Sequence, residues 1–457
     1  MSLDLELLWF VVVLGGVLAI SWYGAGSSGL TLAYLISLGF IHFWGGLIHA
    51  LSWYHGGEAD FTQLGFDQFT WAVTGLAVGR LLLAPIVSKH FPISEARTAA
   101  PGLAKWSLVT GILLYGFLRT LLSNVPSFGA VATCGGALFI AGLCLFAWEG
   151  LRFRRPTNLV LVSLGLAFLP FFTIVSAGFL GYGAAATCVV VSFLACQVRS
   201  RIFALFFLSI TIYLGFCTFM TYMRDRADIR DEMWDEESTF GERVDRLKTT
   251  FTNFEKVDFS SQEQLERIEG RLNQNDLVGR AVFMLDSGEV NFADGETFRQ
   301  ALISIVPRIF WPSKPVTAGS PDIVSYFTGI YFAIGTSVGI GQVMEGYVNF
   351  GTTGVVVLFL VFGTALGVVD VRAARKLRDG DTLGFIIWFV PGIALLQPGG
   401  SLVEIAATTA ASIVLVQLFK IPFTMRRKKA VAELADISAS VWRGRSTARP
   451  VTAKLKS

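Results

Sequence analysis

Between Gln300 and Phe350 only two residues carry a positive charge, Arg308 and Lys314. Both stand in the run Ile305-Val306-Pro307-Arg308-Ile309-Phe310-Trp311-Pro312-Ser313-Lys314-Pro315. Arginine offers a rigid two-pronged fork for phosphate oxygens and lysine a compact charge. Such a pair suits an anionic ligand, and above all the charge that develops on a departing phosphate. The prolines at 307, 312 and 315 restrict the backbone around both cations and argue against a regular helix there. Geometry set in advance lowers the entropic cost of placing two charges on one ligand. A plainer role fits the same side chains, which also have the reach to snorkel to lipid phosphates at a membrane surface.

Some thirty residues on comes Met344-Glu345-Gly346-Tyr347-Val348-Asn349-Phe350-Gly351-Thr352-Thr353-Gly354. Glu345 is a candidate general base for an attacking hydroxyl or an ion-pair partner for an arginine, and the ion pair is favoured. Tyr347 and Asn349 offer hydrogen bonds to a ligand, or a cap to the next helix. Trp311, like Phe310, Tyr326, Tyr331 and Tyr347, suits either a sugar-stacking platform or an interfacial aromatic belt. Arg280 and Arg299 have the charge to reach a second phosphate, against the alternative of a solvated loop. Arg80 and Arg119 stand inside apolar stretches, where a charge is costly and faces a polar cavity or a partner. Arg80 is therefore a candidate cavity residue, or one half of a structural pair with a carboxylate such as Glu404. Arg119 is a candidate ligand-binding or snorkelling residue near the end of its stretch. No cluster has metal-ligand spacing and no glycine loop suits a nucleotide, so no metal and no cofactor is expected.

The elements that must hold these residues are membrane helices. The chain of 457 residues is 53% hydrophobic and 16% charged, with a mean hydropathy of +0.59. Soluble domains carry about a quarter charged residues. Apolar runs about twenty residues long match the ~30 Å of hydrocarbon that a helix must cross, and continuous runs such as Leu159–Phe179 exclude the short alternating strands of a barrel. The expected class is an all-α polytopic membrane protein of about eleven spans: Leu5–Tyr23, Leu30–Tyr54, Phe69–Val87, Trp106–Leu122, Phe128–Trp148, Leu159–Phe179, Tyr182–Val198, Ile202–Tyr222, Gly351–Val371, Leu383–Leu396 and Leu402–Phe419. The first lacks a basic leader and a cleavage site and reads as a retained helix. All five cysteines fall inside spans and read as packing residues.

Basic residues alternate between loops. Lys89, Arg97 and Lys105, then Arg152, Arg154 and Arg155, then Arg199 and Arg201, then Arg372, Arg375, Lys376 and Arg378 mark one side. The tail opens with Lys420 and Arg426-Arg427-Lys428-Lys429, while the loop after the second span is acidic, with Glu58, Asp60 and Asp67. The positive-inside rule makes the basic side and the C-terminus cytoplasmic. Four regions result: residues 1–222 with the first eight helices, a large external loop at 223–350, the last three helices within 351–419, and a basic tail at 420–457. The loop holds thirteen Lys and Arg against twenty-one Asp and Glu, a net charge of −8. Through about Arg271 it reads as short surface helices, and from Leu277 as apolar, broken structure lying on the membrane face.

The two runs, in this order and in one dominant external loop, resemble those of the Wzy-type oligosaccharide repeat-unit polymerases. That family shows an iPR-x-x-W-P-x-K-P run and then a gE-x-Y-x-N-F-G-x-x-G run that leads into a helix. The motif resemblance covers about Ala301–Gly354 and implies a GT-C-like fold in the bacterial inner membrane, with the loop periplasmic. It further implies a metal-independent glycosyltransferase that joins polyprenyl-pyrophosphate-linked oligosaccharide units into O-antigen (a lipopolysaccharide component), capsule or exopolysaccharide. Arg308, Lys314 and Glu345 would then be catalytic, with Arg280, Trp311, Tyr347, Asn349, Arg80 and Arg119 binding substrate. The partners implied are a flippase, a chain-length regulator and membrane lipids, with no nucleic acid. The competing readings are an O-antigen ligase, a lipid-linked sugar flippase or other transporter, and a non-catalytic component of an export complex. The four histidines all lie before Phe91, outside the large loop where ligases carry theirs, and no internal repeat of the transporter kind is present.

Overall fold

Long apolar runs close their own backbone hydrogen bonds most economically as helices, and every regular element among the described residues is helical. The computed structural model describes residues 2–23, 26–90, 100, 102–118, 131, 134–235, 238–308, 310–315, 320–332, 336 and 338–425. Arg97, Arg119, Arg426 and the tail beyond it lie outside the described residues, as do the end of the predicted span Trp106–Leu122 and most of the start of Phe128–Trp148.

The first eight helices are α1 (Leu3–Tyr23), α2 (Leu30–His49), α3 (Ala59–His90), α4 (Leu103–Leu118), α5 (Gly135–Phe153), α6 (Pro156–Ala177), α7 (Leu180–Gln197) and α8 (Arg201–Arg224). Six shorter helices form the segment expected outside the membrane: α9 (Arg226–Trp234), α10 (Phe240–Thr252), α11 (Gln262–Leu272), α12 (Gln274–Asp286), α13 (Glu296–Ser304) and α14 (Ser320–Thr328). The chain then returns through α15 (Gln342–Arg378), α16 (Thr382–Ala394) and α17 (Leu402–Phe419). Among the described residues nine helices are long and apolar enough to cross a membrane, and α4 and α16 are shorter apolar helices. The protein is an all-α polytopic membrane protein, and each of the eleven predicted segments overlaps one of these helices.

Two boundaries and one loop segment differ from expectation, each for a local reason. Helix α3 begins ten residues early and takes Asp60 and Asp67 into the helix, where an acidic first turn complements the helix dipole. Helix α15 begins at Gln342, so the second motif is helical, and it breaks only at Phe350 and Gly351. Gly351 has φ 62°, a left-handed conformation that glycine adopts freely. Helix α12 is a regular helix where apolar, broken structure is expected. It packs among α2, α3 and α15, with Asn275, Val278, Ala281 and Val282 buried.

At the centre, α3 and α15 run against each other at backbone contact distance. Gly79 faces the carbonyl of Leu360 and Gly363 that of Leu76, with no room for a Cβ at either position. Small residues at such a crossing are the usual way for apolar helices to gain packing in lipid. Helices α1 and α2 lean on α3, while α5 joins α4, α6 and α7, and α16 and α17 close the far side.

Candidate functional site

The first motif forms a compact turn after α13. Its prolines keep it out of helix, as the sequence predicts, and backbone carbonyls fold the cations inward. Lys314 Nζ donates to the carbonyls of Ser304 and Val306, each at 3.0 Å. Arg308 donates from one terminal nitrogen to the Lys314 carbonyl at 2.9 Å. Arg308 is exposed and Lys314 half-buried, so the rest of the arginine fork faces outward. Burial, with the Arg308 charge beside it, lowers the Lys314 ammonium below the usual lysine range. The site therefore holds two cations close together against their mutual repulsion. Trp311 stands partly exposed in the same turn, while Phe310 and Tyr331 are largely exposed.

The second motif supports this turn from beneath. Glu345 is 1% exposed, and its carboxylate accepts the backbone N–H of Leu402, the first residue of α17, at 2.7 Å. The carboxyl group thus sits at a helix N-terminus, where unsatisfied N–H groups need an acceptor. No ion pair joins Glu345 to an arginine among the described residues, so the favoured pairing gives way to a capping contact. Asn349 is fully buried. Its amide donates to Thr297 Oγ1 at 2.8 Å and to the Glu345 carbonyl at 2.7 Å, and its oxygen accepts from Gly295 N at 3.0 Å. It therefore caps α13, the helix that carries the cationic turn. Ser304, the last residue of α13, donates to the Val403 carbonyl at 3.0 Å. The two motifs consequently meet through α13 and the start of α17. Tyr347 points elsewhere, to Asp286 at the end of α12, at 3.0 Å.

The remaining sequence candidates are not part of this cluster. Arg280 is paired with Asp276 at 2.9 Å and lies 4.6 Å over the ring of Phe61, and Arg299 pairs with Glu296 at 2.7 Å. Arg80 sits in a single π turn of α3, 2% exposed. Its partner is Asp370 at 3.6 Å, not Glu404, which instead forms a capping box with Ser401 at the start of α17. Asp370 is fully buried and also accepts from Ser27 Oγ at 2.7 Å, Ser28 N and Oγ at 2.8 Å, and Thr31 Oγ1 at 2.9 Å. Arg119 lies outside the described residues.

Two histidines of α2 reach segment 223–350 in space, though not in sequence. His49 Nε2 lies 2.9 Å from Glu269 of α11, and Tyr54 donates to the same carboxylate. Burial alone would raise the Glu269 carboxyl. The hydrogen bonds from His49 and Tyr54 and the His49 charge outweigh it and hold the group below the usual carboxylate range. Farther in, His42 Nδ1 meets Asn275 Oδ1 at 2.7 Å, and its ring stacks on Phe69 with centroids 4.9 Å apart. Sequence spacing gave no hint of either contact. The only signal was chemical, in that each histidine lies on an otherwise apolar helix and needs a polar partner.

No curated protein and no solved structure matches the chain. A family described as "Domain of unknown function (DUF8712)" matches residues 103–429, a stretch that includes both motifs, α13 and the start of α17. That stretch exceeds half the chain, and the protein belongs to the DUF8712 family.

Proposed function

We propose that this protein is a membrane glycosyltransferase that polymerises oligosaccharide repeat units carried on a polyprenyl pyrophosphate, at the outer face of the bacterial inner membrane. The observation that carries the reading is the cationic turn, in which Arg308 and Lys314 are gathered on proline-restrained backbone. A hydroxyl of one lipid-linked unit attacks the anomeric carbon of another. The bond to the pyrophosphate oxygen breaks, the leaving anion takes up the negative charge, and the hydroxyl proton passes to a base. Arg308 and Lys314 stabilise that anion as it forms. Glu345 and Asn349 act as positioning residues, fixing α13 and hence the turn. The basic loops and C-terminus would be cytoplasmic and segment 223–350 periplasmic, with a flippase supplying substrate and a chain-length regulator acting on the product.

A second reading, an O-antigen ligase, is favoured by one observation. His49 stands at the external segment, hydrogen-bonded to Glu269, and a histidine so oriented can serve as a general base. Surface glycans of a strain lacking the protein separate the two. Loss of the polymer ladder with a single capped repeat retained supports the polymerase. Loss of the ladder and of the capped repeat together means a ligase or a flippase and overturns the first reading.

A further inference from the structure

Where α10 lies along α6, the two helices leave an apolar groove of about 310 Å³, at the small end of the range for ligand sites. Phe168, Phe171 and Val175 of α6 and Val244 and Leu247 of α10 form its walls, and Lys248 stands at its edge. Phe168 is 58% exposed and Val244 40%, so these walls are open to the surroundings. Helix α6 is apolar enough to cross a membrane. Helix α10 is not, since its other side carries Glu242, Arg243, Asp245 and Arg246. An amphipathic helix of this kind lies in the interface plane. The groove thus falls at the level where a lipid passes from chain to headgroup.

The charges beside it favour an anion. Lys248 is exposed. Helix α9 carries Arg226 and Arg230 one turn apart on one face. The Arg230 guanidinium lies 5.5 Å over the ring of Phe179, just past the end of α6. Leu247 of the groove shares a buried cluster with Ile174, Tyr222 and Ile229, so the arginine face and the groove belong to one packed unit. Arg271, at the end of α11, is lowered by burial and then by Arg226 and Arg230, as gathered like charges require. Of the carboxylates on α9 and α10, Asp228 is engaged by Arg246 at 2.5 Å, Asp231 lies beside Arg230, and Glu232 accepts from Ser238 Oγ. Glu242 closes a capping box with Thr239, and Asp245 stands exposed on the other side of α10.

We infer that this groove seats one acyl chain of an anionic bilayer phospholipid, with the phosphate at Lys248 on its edge. The assignment is independent of glycosyl transfer. The test uses the full-length protein in nanodiscs doped with phosphatidylglycerol that carries a photoreactive diazirine on one acyl chain, beside phosphatidylcholine carrying the same chain. After irradiation, adducts should map to peptides spanning 168–175 and 240–251. The anionic probe should label about fivefold more, the preference that one basic residue at a membrane surface confers. Lys248→Glu should bring the two probes level, and Val244→Trp, which fills the slot from an exposed position, should abolish labelling by both. Because Lys248 is exposed, its variant tests the headgroup even if Val244→Trp does not accumulate. Equal labelling by the two probes, or adducts confined to other helices, overturns the inference. So does displacement of the anionic probe by equimolar polyprenyl phosphate, which would give the groove to a lipid-linked substrate. A covalent link between two copies through these peptides would give it to a second chain.

Discussion

The guanidinium of Arg80 stands 3.6 Å from the carboxylate of Asp370, with side chains 2% and 0% exposed. The pair joins α3 to α15, and the hydroxyls of Ser27, Ser28 and Thr31 draw the start of α2 onto the same carboxylate. Removing one partner of a buried pair strands the other charge, at a cost of about 3–5 kcal/mol. Arg80→Met and Asp370→Asn should each lower the midpoint of thermal unfolding in detergent steeply. The double variant should fall by less than the two losses added. Single variants that melt with the wild type would show the pair to be dispensable.

Arg308 separates a phosphate clamp from a surface anchor. Arg308→Lys keeps the charge and loses the fork, so under the proposed mechanism it should be severely impaired, as should Arg308→Ala. Loss of one preorganised donor costs about 10²–10³ in rate. The measurement is polymer ladder intensity per unit of membrane protein. Full activity in Arg308→Lys would leave the snorkelling role in its place.

Glu345 is assigned to positioning, and its amide is the deciding variant. Glu345→Gln retains an oxygen to accept the Leu402 N–H and should keep most of the polymer. Glu345→Ala removes the cap and should cost about 1 kcal/mol or more, seen as a lower unfolding midpoint. An inactive Glu345→Gln protein that folds normally would make the carboxylate a general base after all.

Glu269 predicts a pH dependence. Its carboxyl is depressed in the folded protein, so the stabilisation is full above the unfolded carboxyl value. It is lost as pH falls through the folded one. The protection of amides across residues 262–272, corrected for the intrinsic exchange rate at each pH, should therefore fall on acidification below the ordinary glutamate range. Glu269→Gln should flatten that dependence, and an unchanged profile would remove the carboxylate from the contact.

The proposed orientation has its own check. Single cysteines at Ser261 and Ser438, in a cysteine-free background, should differ toward an impermeant thiol reagent. Ser261 should react in whole cells and Ser438 only after lysis; equal reaction of the two would sink the orientation.

The membrane helices were legible because a span writes its length directly into apolar residues, as Leu159–Phe179 does. Helix α12 was not, since Asn275 and Gln274 make its start look wet. Asn275 is in fact satisfied inside the bundle by His42 and Asn273, and the Gln274 amide donates to the Gly339 carbonyl. Asp370 fell inside the predicted span Gly351–Val371 but one residue from its end, where the basic run from Arg372 made it look like part of the boundary rather than a buried partner. The cationic turn was legible down to its non-helical backbone, since proline restricts conformation locally. The partner of Glu345 was not, because a helix N-terminus fifty-seven residues away leaves no mark on nearby sequence.

The seam at Gly79 and Gly363 has a mechanical consequence. With carbonyls seated where side chains would otherwise stand, α3 and α15 cannot slide or roll past one another without collision. They form a single strut through the molecule, held near one end by Arg80 and Asp370. Any rearrangement that admits a bulky substrate must therefore hinge on the helices around this strut. The break at Phe350 and Gly351 separates the buried segment 342–349, tied to α13 and α17, from the length of α15 that runs along α3.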